Sequence, residues 1–248
     1  MGHALRLGRP FGIETRVHWT FGLLLAWAGT VEYQRVGWDA AIFAIALLTS
    51  LFACVLLHEL GHCLAARHFG ISTRSITLYP IGGVARLDAF PRQPWHEIVI
   101  AAAGPAVNVV LAALLFPVIL FGELPASDES GLAPSPITLA AALFVANLAM
   151  VIFNLLPAFP MDGGRIFRAF LSLRGNYLRA TTIAARTGQI LAILFVVCGS
   201  GALGSLVPGL IFTPTLMIIG VFIFFSAGAE RRLVQRMHAE PHVLESPR

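Results

Sequence analysis

Residues 39–67 read DAAIFAIALLTSLFACVLLHELGHCLAAR. From Ala40 to Leu57 the stretch holds only Thr49, Ser50 and Cys54 among its apolar residues, and at 1.5 Å per residue the whole stretch can cross a hydrocarbon core of about 30 Å. Inside this apolar run lies His58-Glu59-Leu60-Gly61-His62. On a helix, residues four apart share a face, so both imidazoles can reach one divalent metal while the Glu between them stands beside the water that the metal activates. Polar groups at bilayer depth are costly, so two His and a Glu within a turn and a half point to a functional site.

The rest of the composition agrees with a membrane setting. The 248 residues are 57% hydrophobic and 12% charged, the balance of a polytopic membrane protein rather than a globular one. A net charge of +4 is too small to imply nucleic-acid binding. Cys54, Cys63 and Cys198 fall in apolar segments without metal-ligand spacing and read as small membrane-helix residues. The expected architecture is an all-α polytopic membrane protein of six transmembrane helices, at about Val17–Val31, Asp39–Arg67, Trp95–Phe121, Ile137–Leu155, Arg179–Gly199 and Val207–Ala229. The first is short, and Ala26-Trp27-Ala28 has the form of a signal-cleavage site, but Trp19 and Trp27 suit an interfacial anchor and keep the segment a span. Residues 1–230 form the membrane core, and 231–248 a cytoplasmic tail.

All the basic residues are Arg, a bias that suits a GC-rich bacterial or archaeal genome. They cluster before the first span (Arg6, Arg9, Arg16), between the second and third (Arg67, Arg74, Arg86, Arg92), between the fourth and fifth (Arg165, Arg168, Arg174, Arg179) and after the sixth (Arg231, Arg232, Arg236, Arg248), while the alternate loops hold Arg35 alone. By the positive-inside rule both termini are cytoplasmic in an integral protein of a bacterial or archaeal cell membrane. The second span then runs inward and ends near Arg67, so His62 lies roughly 7 Å and His58 roughly 14 Å from that end. The metal belongs in the cytoplasmic half of the bilayer.

Two His leave zinc short of a protein ligand, since catalytic zinc sites use three plus a water. The cytoplasmic end of the fourth span reads Asn154-Leu155-Leu156-Pro157-Ala158-Phe159-Pro160-Met161-Asp162-Gly163-Gly164. Its two prolines break the helix and its two glycines permit a tight backbone, which sets Asp162 on an irregular stretch near the same interface. A helix N-cap at Asp162 is a compatible second role. The pairing of a membrane HExxH with N-x-x-P-x-x-P-x-D-G-G resembles the site-2 protease family of membrane-embedded zinc metalloproteases. Gly104-Pro105-Ala106-Val107-Asn108 resembles the family's G-P-x-x-N segment, and Ile81-Gly82-Gly83 its glycine-bearing strand region. The resemblance covers about residues 10–230. It implies one Zn²⁺ per chain held by His58, His62 and Asp162, with Glu59 as catalytic base and Asn154 as a group that holds substrate or stabilises the oxyanion. It also implies that Asn108, Gly82 and Gly83 face substrate. From the residues alone, Asn154 is also a cap beside Pro157, and Asn108 equally a polar link between helices.

A transmembrane substrate must be unwound before its carbonyls can be attacked. Residues 71–87 alternate polar and apolar through Ser75-Ile76-Thr77-Leu78-Tyr79 and then turn at Pro80 and Gly82-Gly83. A short re-entrant β-hairpin or small sheet is expected there, between spans 2 and 3, with an edge that takes substrate by strand addition. The expected activity is hydrolysis of a peptide bond in or near the membrane segment of a single-span protein, such as a membrane-tethered transcription factor or anti-sigma factor. No nucleic-acid partner is expected, and oligomeric state is not legible. Some members of the resembled family carry a PDZ-type domain in a loop or CBS domains after the last span; here a minimal six-span form is expected, either natural or truncated before a regulatory domain. The alternative is a zinc-binding membrane transporter or a non-proteolytic scaffold. A transporter has no need of Glu59 beside the metal and calls for polar residues along a path to both faces, which the outer halves of spans 2, 3 and 4 lack.

Overall fold

The computed structural model describes residues 4–80, 82–88, 91, 93–122, 127–128, 131–132, 134–201 and 214–239. The chain divides into two units, Met1–Pro91 with Ala103–Ile152, and Arg92–Ala102 with Phe153–Arg248.

The first unit begins with strands β1 (Ala4–Gly8) and β2 (Glu14–His18), then helices α1 (Thr20–Arg35) and α2 (Trp38–His68). Strands β3 (Thr73–Tyr79) and β4 (Gly82–Leu87) follow, then most of helix α3 (Pro94–Phe121) and of α4 (Pro136–Asn154). The sheet order is β1-β2-β3-β4, antiparallel between β1 and β2 and between β3 and β4, with β2 running parallel to β3. Strands β3 and β4 form an antiparallel pair within a small mixed sheet. The partnership with β1 and β2 was not anticipated. In β2, Thr15 and Val17 turn inward, in phase with Ile13 just before the strand, while Glu14, Arg16 and His18 alternate outward. The sequence expectation instead places Val17 at the start of the first span, whereas helix α1 begins at Thr20.

Helix α2 serves two faces at once. Phe52, Leu56, Leu60 and Cys63 recur at helical spacing and meet Val17, Ile76 and Leu78 of the sheet, with Ile13 just before β2. Each large apolar side chain fully buried here, such as Ile76, contributes about 1.5–3 kcal/mol. Residue 58 is turned about 200° from residue 60 around the helix, so His58 and His62 face away from the sheet. Gly61 faces α3: a Cβ there would stand 2.8 Å from both the Ala103 carbonyl oxygen and Val107 Cγ2. This glycine sets how closely the two backbones approach.

The second unit holds the start of α3 and helices α5 (Asp162–Ser172), α6 (Tyr177–Gly199) and α7 (Pro214–Ala239). Asn176 caps α6, its Oδ1 accepting from the Leu178 and Arg179 amides at 2.8 and 3.4 Å, so the helix starts at Tyr177 rather than at Arg179. Ala180, Ala184, Gly188 and Ala192 form a stripe of small residues on α6, and Gly220 of α7 has room for no Cβ, which would sit 2.7 Å from the Ala192 carbonyl oxygen. Close packing of this kind takes the place of a water-driven core inside lipid.

Helices α2, α3, α4 and α6 are each long and apolar enough to cross a membrane. Large apolar side chains such as Ile42, Leu114, Ile152 and Ile190 point outward, as lipid-facing residues do. The first and last expected spans correspond to α1 and α7; residues 207–213 of the latter expectation, Ile81 and residues 240–248 of the tail lie outside the described residues.

Candidate active site

His58 and His62 are buried, and their Nε2 atoms lie 3.0 Å apart. Two nitrogens at zinc-bond lengths of 2.0–2.1 Å and a tetrahedral angle stand about 3.3 Å apart, so the pair is spaced as ligands of one ion. The backbone makes room for it. A Cβ at Gly104 of α3 would collide with His62 Nε2 and fall 2.7 Å from His58 Nε2. Only glycine lets α3 pass this close and leave the nitrogens accessible, and Pro105 follows inside the same helix. The donor set and this cradle fit a zinc ion.

The His pair is supported from behind. Asn108 is fully buried, and its Oδ1 lies 2.5 Å from His58 Nδ1. Asn108 Nδ2 donates to Asn147 Oδ1 at 2.7 Å, and Asn147 Nδ2 donates to the Leu143 carbonyl at 2.8 Å and toward Cys54 Sγ at 3.4 Å. Hydrogen bonds to the far nitrogen of a ligand imidazole orient it and raise its basicity.

Glu59 is half-buried, one residue around the helix from His58. A Cβ on Gly83 would fall 2.5 Å from Glu59 Cγ and 3.2 Å from Glu59 Oε1, so β4 runs its bare backbone against this carboxylate. Gly82 has φ +138, a conformation open to glycine. Strand β4 ends the sheet, and an outermost strand presents main-chain groups for pairing.

In the second unit, α4 ends at the half-buried Asn154 and a turn-rich segment leads to α5. Its amides bond locally, Met161 N to Ala158 O at 3.0 Å and Gly164 N to Met161 O at 3.1 Å. A Cβ on Gly163 would overlap the carbonyl groups of Leu155 and Leu156, and one on Gly164 would lie 2.6 Å from Ala158 C and 2.7 Å from Phe159 N. The two glycines therefore let the first turn of α5 lie directly on the proline-bearing segment. Asp162 is buried and is the first residue of α5, while Met161 takes the cap position. A carboxylate there meets the positive end of the helix dipole.

The comparisons with known proteins agree with this geometry. The sequence profile of peptidase family M50 matches residues 46–127 and 128–195. The chain belongs to peptidase family M50. A zinc metalloprotease of Methanocaldococcus jannaschii is 34% identical over 95% of this chain and 62% of its own length. The solved site-2 protease from Methanocaldococcus jannaschii superposes with a TM-score of 0.60 at 33% identity, covering 92% of this chain and 95% of that one. The stage IV sporulation protein FB of Bacillus subtilis is 27% identical over 62% of the chain and 52% of its own length. The chain spans just under two thirds of the length of the first of these relatives. With four membrane-length helices among the described residues and this family, this M50 chain is an integral membrane protein.

Sequence reasoning passed over Asn147, Arg168 and Glu97. Asn147 was visible as an Asn within an apolar span, the same signal that marked Asn108. Arg168 was counted among the cytoplasmic charges, yet it is buried and bonds Glu97 of α3 and Glu230 of α7. Only the fold could bring those three together.

Proposed function

We propose that this M50 chain is an intramembrane zinc endopeptidase that hydrolyses a peptide bond in or near the membrane segment of a single-span, membrane-tethered regulator. His58, His62 and Asp162 hold one zinc ion. When bound, the ion polarises the scissile carbonyl and lowers the pKa of a water toward about 7. Glu59 takes the proton of the attacking water and delivers it to the leaving amine. Asn154 donates to the charge that develops on the carbonyl oxygen, a role worth about 2.7–4 kcal/mol in comparable sites.

The outer edge of β4 receives the unwound substrate as an added strand, with Gly82 and Gly83 allowing the peptide close to Glu59. Six helices, α1 to α4, α6 and α7, cross a bacterial or archaeal cell membrane with both termini cytoplasmic and the site in the cytoplasmic half. The observation that carries the reading is the His pair at 3.0 Å on a membrane-length helix, with Glu59 between the two and a glycine-lined sheet edge against it.

The test compares wild type with Glu59→Gln for zinc per chain and for cleavage of a single-span reporter in detergent. Zinc retained by both, with cleavage lost only in the variant, is the expected result. Cleavage that survives the substitution removes Glu59 as the base, and zinc without cleavage in either protein moves weight to the transporter or scaffold reading.

A further inference from the structure

The amide of a buried Asn can face either way, and a neutral His can carry its proton on either nitrogen. In the first unit one group is free of that ambiguity. The Leu143 carbonyl is a main-chain acceptor, and Asn147 presents Nδ2 to it at 2.8 Å. Flipping Asn147 would set two acceptors against each other there. With Nδ2 committed, and its other hydrogen aimed at Cys54 Sγ, Asn147 Oδ1 must face Asn108. Asn108 must then donate through Nδ2, at 2.7 Å, with its other hydrogen directed at Met150 Sδ, 3.9 Å away. Its Oδ1 is left toward His58 Nδ1 at 2.5 Å. An amide oxygen only accepts, so Nδ1 carries the hydrogen and Nε2 keeps its lone pair.

We propose that Asn147, acting through Asn108, is a positioning residue that sets the tautomer of His58, so that a main-chain carbonyl of α4 turns the Nε2 lone pair toward the zinc. The inference rests on His58 being a zinc ligand and adds how its nitrogen is prepared. Asn108 and Asn147 are both fully buried, so water does not compete for these bonds, and the relay ties α4 to α3 and α3 to α2. The arrangement is a neutral-amide counterpart of the carboxylate that backs a zinc-bound histidine in other sites.

The first experiment uses the wild-type chain, purified in detergent, stripped of zinc and labelled with ¹⁵N at histidine. The relay requires His58 to carry its proton on Nδ1 before metal is added; a proton on Nε2 overturns the proposal whatever the enzyme cleaves. The second measures zinc affinity against a competing chelator. Asn147→Leu, of similar volume and without an amide, is expected to weaken binding about 10-fold, at the low end of the 10–100-fold range for outer-shell partners because it acts at one remove. Asn108→Asp supplies an acceptor to His58 that needs no orientation, since both carboxylate oxygens accept. In that background Asn147→Leu should leave zinc affinity within about 2-fold. An equal loss in both backgrounds makes Asn147 a packing residue and overturns the relay. Should Asn147→Leu fail to fold, the tautomer measurement on wild type still decides.

Discussion

Replacing Arg168 with Met should cost the second unit more than any other single change described above. The guanidinium is 3% exposed and donates through Nε to Glu97 Oε1 at 2.9 Å, again through a terminal nitrogen to the same oxygen, and to Glu230 Oε1 at 2.7 Å. The rings of Phe159 and Tyr177 each lie 5.0 Å from its central carbon. Methionine fills much of the volume but leaves Glu97, only 5% exposed, without its cation. Removing one partner of a buried pair costs about 3–5 kcal/mol, and losing the aromatic contacts adds about 0.5–2 kcal/mol. Glu230 has a quarter of its side chain in solvent, 24%, so its loss weighs little. The assay is reversible unfolding in mixed detergent micelles, scored for Arg168→Met, Glu97→Gln and the double variant. Neutralising Glu97 removes the orphaned charge, so the double variant should recover about 2–3 kcal/mol of the Arg168→Met loss, as coupled neighbours do. Arg168→Lys should fall between, because one ammonium cannot supply the planar fork that serves two carboxylates. A loss below about 1 kcal/mol in Arg168→Met, or strict additivity in the double variant, refutes the reasoning.

Other perturbations separate the parts of the candidate site. Gly104→Ala places a methyl against His58 Nε2 and His62 Nε2, so zinc content should fall together with cleavage; full zinc occupancy, read by metal analysis, would show that α3 yields there. Gly83→Val puts bulk on Glu59 and should lower cleavage at least 10-fold, about 1.4 kcal/mol on the barrier, while zinc stays bound; loss of zinc instead would point to a collapsed α2. Proline at Ala85, whose amide faces away from β3 because Tyr79–Gly82 and Thr77–Val84 are the hydrogen-bonded pairs of the hairpin, should raise KM for a strand-forming peptide without loss of metal, and unchanged turnover would sink strand addition. Asp162→Asn should reduce zinc affinity by at least 10-fold in chelator competition, and an unchanged constant would remove it as a ligand.

The parts of this molecule that were legible in the sequence carry their chemistry within a few residues. His58, Glu59 and His62 are bound by helical spacing alone, and Pro157, Pro160, Gly163 and Gly164 announce a break and a tight approach wherever they stand. The approach proved to be the first turn of α5 resting on the carbonyls of Leu155 and Leu156. What was missed depends on partners distant in the chain. Glu14–His18 has a period-two face, but it runs into the apolar start of α1, and its pairing with β3 is a tertiary fact. Arg168 looked like one more solvated cytoplasmic charge because nothing local tells a loop Arg from one that Glu97 and Glu230 will enclose. The same holds for Asn147, whose significance appears only when Asn108 and His58 are set beside it.

The parallel pairing of β2 with β3 carries a consequence for how the chain is made. Glu14 meets Ser75 and Val17 meets Leu78, so strands that leave the ribosome first must wait for α1, α2 and β3 to be made before they find their neighbour. Until then the β1–β2 hairpin stands with its inner edge bare, and a pairing between such distant residues is slow to close. Once it closes, the start of α1 and the end of α2 are held beside the same sheet, and the two helices can no longer separate. The nascent protein thus ties off its first helical hairpin at the moment the sheet that abuts Glu59 is completed, and chain segments synthesised later meet an edge already in place.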